Sequence, residues 1–255
     1  MANPSFERRE FFHLNLLRHL GFRLGGRSWA VKGGMAMRFF HRSQRLSEDM
    51  DLDVVSQVRT KTLEGMVDAI LQSRSFMGWL SPRGILDIRV GKPKQTETTQ
   101  RWKIALMLSS DVSLSTKVEF SRRKSEISYA KGVPDPALLN FYKLAPFAAQ
   151  FYDAEHMSAQ KILALASPNR QAVRDLFDLH HLFHTMRVKS ENLSKLVGAK
   201  DIEHAVEKVD AFSYADFKSQ VFPYLSEEIA DLYKDPDAFE SLKTEVGSAV
   251  LQVLQ

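Results

Sequence analysis

Asp49, Asp51 and Asp53 alternate with Met50, Leu52 and Val54. In an extended strand successive side chains point to opposite faces, so the three aspartates share one face and the apolar residues pack into a core. That geometry builds a site for a hard cation. Magnesium takes a few carboxylate oxygens, water and substrate phosphates, so the face suits capture of a nucleotide's triphosphate. The acidic stretch follows an apolar strand, Trp29 to Lys32, the pair Gly33-Gly34, and a short helix beginning near Met35. A glycine pair at a strand end lets backbone approach a ligand closely, and the helix would aim its amide dipoles at that ligand. Taken alone, such a pair marks an ordinary tight turn far more often than an anion site. Its distance from the acidic strand gives it weight.

Composition excludes several chemistries. The chain has 255 residues, no cysteine and no apolar run near the roughly 20 residues that cross a bilayer. Disulfides, thiolate catalysis and cysteine-based zinc sites are therefore out. The start, Met1 to Glu10, is charged rather than signal-like, so a cytosolic location is expected. A net charge of +4 with a pI near 9.2 favours a polyanionic partner only weakly.

The fold class expected is α/β (α+β), a mixed sheet with flanking helices followed by a mainly helical part. Phe6 to Leu20 has helical spacing, Thr60 to Gln72 reads as a helix, and Ile85 to Val90, Trp102 to Leu108 and Ser115 to Phe120 read as strands. The polar segment Lys92 to Gln100 reads as a hairpin loop. Pro134 and Pro136 disfavour continuation of either a helix or a central strand, which predicts an α/β domain over 1–133 and a helical domain over 134–255. A short strand near Ala145 to Tyr152 is expected before helices over Met157 to Ala166, Arg170 to Met186, Ile202 to Val209, Tyr214 to Val221 and the tail from Ala238.

Strand, Gly-Gly, helix, then an Asp-x-Asp strand resembles the nucleotidyltransferase superfamily. The longer string, Lys32-Gly33-Gly34-Met35-Ala36-Met37-Arg38 followed by Arg45-Leu46-Ser47-Glu48-Asp49-Met50-Asp51-Leu52-Asp53, resembles the AbiEii/AbiGii toxin nucleotidyltransferases. The resemblance continues through Lys161 in Ser158 to Leu165 and through Arg174-Asp175-Leu176-Phe177-Asp178. It implies that Gly33, Gly34, Ser47 and Lys161 contact the triphosphate and that Asp49 and Asp51 hold Mg2+. It also implies that Asp175 or Asp178 serves the metal, Lys161 or the acceptor hydroxyl. Glu119, in Lys117-Val118-Glu119, fits the third acid of the wider superfamily, as general base or as a residue positioning Lys117. The implied activity is metal-dependent transfer from a nucleoside triphosphate to RNA, foremost the 3′ end of tRNA, in a toxin–antitoxin or phage-defence system with a cognate antitoxin. Rival readings are transfer to a protein or small-molecule hydroxyl, and a non-catalytic regulatory module of the same fold.

Each residue also has a plainer reading. Ser47 reads equally as a turn hydroxyl, Asp53 as a solvated or arginine-paired strand residue, and Lys161 as a helix-surface cation. Arg42 and Arg45 neutralise phosphate or merely balance the acids, and Arg174 with Asp178 fits a surface pair. His180 and His184 sit at zinc-compatible helical spacing without a surrounding protease motif, as solvated histidines commonly do. Arg122-Arg123-Lys124, with Tyr129 and Lys131, reads as a solvated loop or an RNA-backbone contact, and the aromatic run Phe141, Tyr142, Phe147, Phe151 and Tyr152 as core.

Overall fold

A computed structural model of the chain describes residues 4–122, 127–170 and 173–254, which form two compact units. The sheet unit runs up to Phe40 and from Ser47 to Tyr152, whereas the helical unit takes His41–Leu46 and the chain from Asp153 onward. In the sheet unit, α1 (Pro4–Leu24), β1 (Trp29–Lys32), α2 (Gly33–Phe39), β2 (Met50–Val54), α3 (Thr60–Leu71) and α4 (Arg74–Leu80) come first. They are followed by β3 (Asp87–Gln95), β4 (Thr99–Met107), β5 (Ser113–Ser121), β6 (Tyr129–Gly132), α5 (Pro136–Tyr142) and β7 (Ala149–Tyr152). The mixed seven-stranded sheet has the order β3-β4-β5-β2-β1-β7-β6. At its centre β2 runs antiparallel to β1 and parallel to β5, while β1 runs parallel to β7.

The period-two pattern does what the sequence requires of it. Met50 and Leu52 on β2, Trp102 and Leu106 on β4, and Val118 and Phe120 on β5 are fully buried. Phe12, Leu16 and Leu17 of α1 are buried with them, and α1 packs against α3, α4 and β5. Full burial of side chains this size is worth about 1.5–3 kcal/mol each.

Three expectations change. Residues 92–95 are strand rather than loop, and only 96–98 turn between β3 and β4. Polarity misleads there because β3 is an edge strand, where exposed lysines and a proline at the register shift between Gly91 and Lys94 are ordinary. Residues 134–152 supply α5 and β7 to the sheet unit, so the division falls after Tyr152 rather than at 133. Pro136 starts α5, with the Asp135 carboxylate accepting from the Ala137 amide, so the prolines open a helix instead of ending a domain. Of the aromatic run, Tyr142 and Tyr152 are core, but Phe141 is 54% exposed.

The helical unit comprises α6 (Ala154–Ala166), α7 (Val173–His184), α8 (Ala199–Ala211), α9 (Tyr214–Gln220), α10 (Glu227–Asp231) and α11 (Pro236–Leu251). α6 packs on α7 and α8, and α11 packs on the same two helices. Phe217 stacks on Phe239 with ring centroids 4.7 Å apart, and Phe177 and Tyr233 close the same aromatic cluster. Among the described residues no helix is long and apolar enough to cross a membrane. Arg123 and Lys124 lie outside the described residues, whereas Arg122 donates to Gln100 Oε1 at 2.8 Å.

Candidate functional site

In the central register Asp51 lies between Lys32 of β1 and Glu119 of β5. Asp49 precedes the strand, and its Oδ1 accepts from the Lys117 amide at 3.0 Å. The Lys117 ammonium stands 3.4 Å from Asp49 Oδ2 and 3.7 Å from Asp51 Oδ1. Both carboxylates stay partly open, with side-chain exposures of 45% and 34%. Burial pushes the Asp51 carboxyl above its ordinary range, Glu119 and Asp49 add to this, and Lys117 and Lys32 oppose it. Burial alone would lower the Lys117 ammonium, but Asp51, Asp49 and Glu119 outweigh it and hold the lysine above its usual value. The protein's own charges thus leave a surplus of negative charge that a divalent cation would neutralise.

Gly33 opens α2 in the left-handed region at φ 63°, and a β-carbon there would stand 3.3 Å from Asp51 Oδ2. Only glycine meets both demands without strain. Ser47 donates to the Asp49 carbonyl at 3.3 Å, closing the turn into β2.

Sequence reasoning missed the strap behind Asp49. Thr116 donates to the Glu48 carbonyl at 2.6 Å, and His13 Nε2 lies 2.8 Å from the Thr116 hydroxyl. Because that hydroxyl's single hydrogen is committed to Glu48, His13 must supply the hydrogen from Nε2. Its Nδ1 is buried without a partner, consistent with a neutral ring whose pKa is lowered to about 3 by burial and by Arg9. No local pattern marks this histidine, because its partner is 103 residues away.

Asp53 is neither solvated nor arginine-paired. It is 1% exposed and bonded by Lys32, Ser121 and Tyr152, so it anchors the sheet. Glu119 turns to Arg101, whose Nε donates to Oε2 at 2.5 Å. Across β5, β4 and β3 the residues beside these acids are basic: Lys117 pairs with Lys103, Glu119 with Arg101, Arg101 with Lys94 and Ala105 with Arg89. Register partners share a sheet face, so a cationic strip runs outward from Asp49 and Asp51, with Lys103, Arg89 and Lys94 exposed. Asp87 is the acid at its far end.

The helical unit holds the other candidates together. Lys161 of α6 is 5% exposed, so it is no surface cation, and its ammonium lies 2.6 Å from both Asp175 Oδ1 and Asp178 Oδ2 on α7. Arg45, from the His41–Leu46 segment, grips Asp178 with two bonds, Nε to Oδ1 at 2.9 Å and Nη2 to Oδ2 at 2.8 Å. Arg170 reaches Asp175 from the rim at 2.9 Å. Burial would raise the Asp178 carboxyl, but Arg45 and Lys161 overcome it and hold the group well below the carboxylate range. Burial would likewise lower Lys161, whereas Asp175 and Asp178 hold it above its usual value. Arg45 therefore serves this cluster, and Asp178 is buried with Arg45 and Lys161 rather than paired with Arg174 at the surface, the plainer of its two readings. Arg174 instead covers the Tyr224 ring at 5.1 Å.

Residues 15–244 match the model of a protein family described as nucleotidyl transferase AbiEii toxin, type IV toxin–antitoxin system. No curated protein matches the chain. The fold is similar to MenT4, a nucleotidyltransferase toxin from Mycobacterium tuberculosis, with a TM-score of 0.63 and 15% identity, covering 99% of this chain and 95% of that one. It is also similar to JHP933 from Helicobacter pylori, with a TM-score of 0.61 and 18% identity over 99% of this chain and 93% of that one.

Proposed function

Because the chain belongs to the AbiEii toxin nucleotidyltransferase family of type IV toxin–antitoxin systems, we propose that it transfers nucleotides from a nucleoside triphosphate to RNA, foremost the 3′ end of tRNA. The family brings with it an antitoxin partner, a nucleoside triphosphate substrate and a divalent metal. The observation that carries the RNA reading is the cationic strip of Lys117, Lys103, Arg101, Lys94 and Arg89 leading away from the acid pair. A nucleic-acid backbone meets such a strip through its phosphates, whereas a neutral hydroxyl-bearing acceptor has no need of it.

Asp49 and Asp51 would hold Mg2+, and their surplus negative charge fits a hard cation. When bound, the ion supplies charge neutralisation on the phosphate oxygens. Gly33 and Gly34 bring backbone close to the triphosphate, and Lys117, held protonated by its acids, adds a positive charge there. Ser47 contributes by fixing the turn that sets Asp49. In the reaction the acceptor hydroxyl oxygen forms a bond to the α-phosphorus, the bond from that phosphorus to the β-phosphate's bridging oxygen breaks, and pyrophosphate leaves. The hydroxyl proton passes to a base. Of the two roles open to Glu119, the one toward Lys117 has the better support, because its carboxylate is committed to Arg101 and its charge helps hold the Lys117 ammonium. Lys161, Asp175 and Asp178 enter this proposal through the shared motif. Their mutual neutralisation supports a role in which Lys161's charge depends on both aspartates.

The test offers labelled nucleoside triphosphates with Mg2+ to total cellular RNA, intact or periodate-oxidised at its 3′ ends, and to total protein. Label is expected in intact RNA of tRNA size and absent from oxidised RNA. Label in protein alone would overturn the RNA reading, and no label with any nucleotide would favour a non-catalytic module.

A further inference from the structure

We propose that His180, His184 and Glu245 form a binding site for a zinc-type transition-metal ion that clamps α7 to α11. The site stands apart from the transfer chemistry and does not rest on it. Four residues of helix bring His184 over the same side of α7 as His180, with ring centroids 4.6 Å apart and planes inclined by 37°. From α11, one oxygen of Glu245 meets both rings: Oε2 lies 3.1 Å from His180 Nε2 and 3.2 Å from His184 Nε2.

Both rings thus converge on one carboxylate oxygen. Two imidazoles that merely decorated a helix surface would have no reason to aim the same ring nitrogen at one point. The ligand atoms of the three residues all lie within 4.8 Å of one another, and among the described residues no other trio of histidine, aspartate or glutamate does so. Tetrahedral zinc, with bonds of about 2.0–2.1 Å to nitrogen and 2.0–2.2 Å to oxygen, spaces its ligand atoms about 3.3 Å apart. Both nitrogen-to-oxygen separations already have that size. Insertion of an ion asks for modest rotation of exposed side chains, since His184 and Glu245 are each 47% exposed and His180 is 26% exposed.

Two imidazoles and a carboxylate select zinc, cobalt or nickel over magnesium, which prefers an all-oxygen shell. The fourth position would go to water. The ion would tie the C-terminal end of α7, the helix that carries Asp175 and Asp178, to a helix 61 residues later in the chain at Glu245. That link would add stability without a disulfide, in a chain that has no cysteine.

The experiment titrates the full chain with Zn2+ in excess Mg2+, by calorimetry and by thermal melting, and repeats the titration with Co2+ read by its visible absorption. One equivalent should bind, the melting temperature should rise by several degrees, and Co2+ should give the intense band of a tetrahedral site. Glu245→Gln and the double variant His180→Ala/His184→Ala should each weaken Zn2+ binding at least ten-fold while their metal-free melting temperatures stay close to that of the parent. Undiminished affinity in the double variant would place the ion elsewhere and overturn the proposal. So would the absence of saturable binding at 100 µM Zn2+ in the parent, a concentration of about the order that a weak three-ligand surface site needs.

Discussion

The acids of the sheet unit and those of the helical unit are built to opposite ends. Asp49 and Asp51 are partly exposed, crowd a third acid and share one lysine. Asp175 and Asp178 are buried and matched one for one by Lys161 and Arg45, with Arg170 added at the rim. Charges that a fold needs for itself are neutralised inside it, because an unpaired buried charge costs several kcal/mol. Charges left short of partners cost the folded state something. Asp51 carries that cost in its raised carboxyl, and Asp178 carries the reverse in its lowered one.

Substitution of the open pair should act on chemistry far more than on folding. Asp49→Ala and Asp51→Ala are expected to lower the rate of nucleotide transfer by about 10²–10³-fold or more, with little change in melting temperature. A folded-state carboxyl raised above its unfolded value binds the proton more tightly when folded, so stability falls as pH rises through that window. Above it, ionised Asp51 costs stability, and Asp51→Asn should melt slightly higher than the parent at neutral pH. A marked loss of stability would move Asp51 into the same class as Asp53.

The closed cluster should fail differently. Asp178→Ala leaves the buried Arg45 without its carboxylate and Lys161 with Asp175 alone, and is expected to cost about 3–5 kcal/mol in urea unfolding. Asp178 has a lowered folded pKa, so its contribution is present above the unfolded value and disappears as pH falls through the folded one. Lys161→Ala should lose stability and transfer together. Lys161→Arg should restore part of the stability but little of the transfer, since a planar fork replaces a compact ammonium. Full transfer by Lys161→Arg, or by Lys161→Ala, would assign the cluster to folding alone.

The smallest effect belongs to His13. With its folded pKa lowered to about 3, the unfolded chain alone binds a proton between pH 6.5 and 3, so stability drops as pH falls through that range. Between pH 6.5 and 5 the loss amounts to about 2 kcal/mol. His13→Gln, which keeps a donor, should flatten this part of the acid limb, as read from urea midpoints at the two pH values. An unchanged slope would show that the ring is protonated in the folded state.

Much of this was legible in the sequence, for a physical reason. Strand alternation at 50–54, the glycine pair and the spacing of Lys161, Asp175 and Asp178 are local signals, and the elements carrying them form where expected. Partnerships were not legible. Asp53 alternates just as Asp49 and Asp51 do, and only its pairing with Lys32, Ser121 and Tyr152 separates this sheet anchor from the open pair. Lys117 stands out in the sequence only as a neighbour of Glu119, and its place beside Asp49 and Asp51 follows from β5 lying next to β2. The cationic strip is likewise a product of register, assembled from residues that are scattered along three strands.

The short segment His41–Leu46 sets how this protein can be taken apart. It belongs to the helical unit although more than a hundred residues of sheet unit separate it from Asp153. Its Arg45 bonds Asp178 across 133 positions of sequence, and the Leu46 amide donates to the Tyr224 carbonyl at 2.8 Å. A fragment cut from Asp153 onward would keep Lys161 between Asp175 and Asp178 but would lose Arg45, the second cation that holds Asp178 ionised. Such a piece lacks contacts that the helical unit makes with residues 41–46 in the whole chain. A ribosome delivering the chain must also hold residues 41–46 uncommitted until α7 has emerged, so the helical unit is finished late, through a contact of high sequence separation.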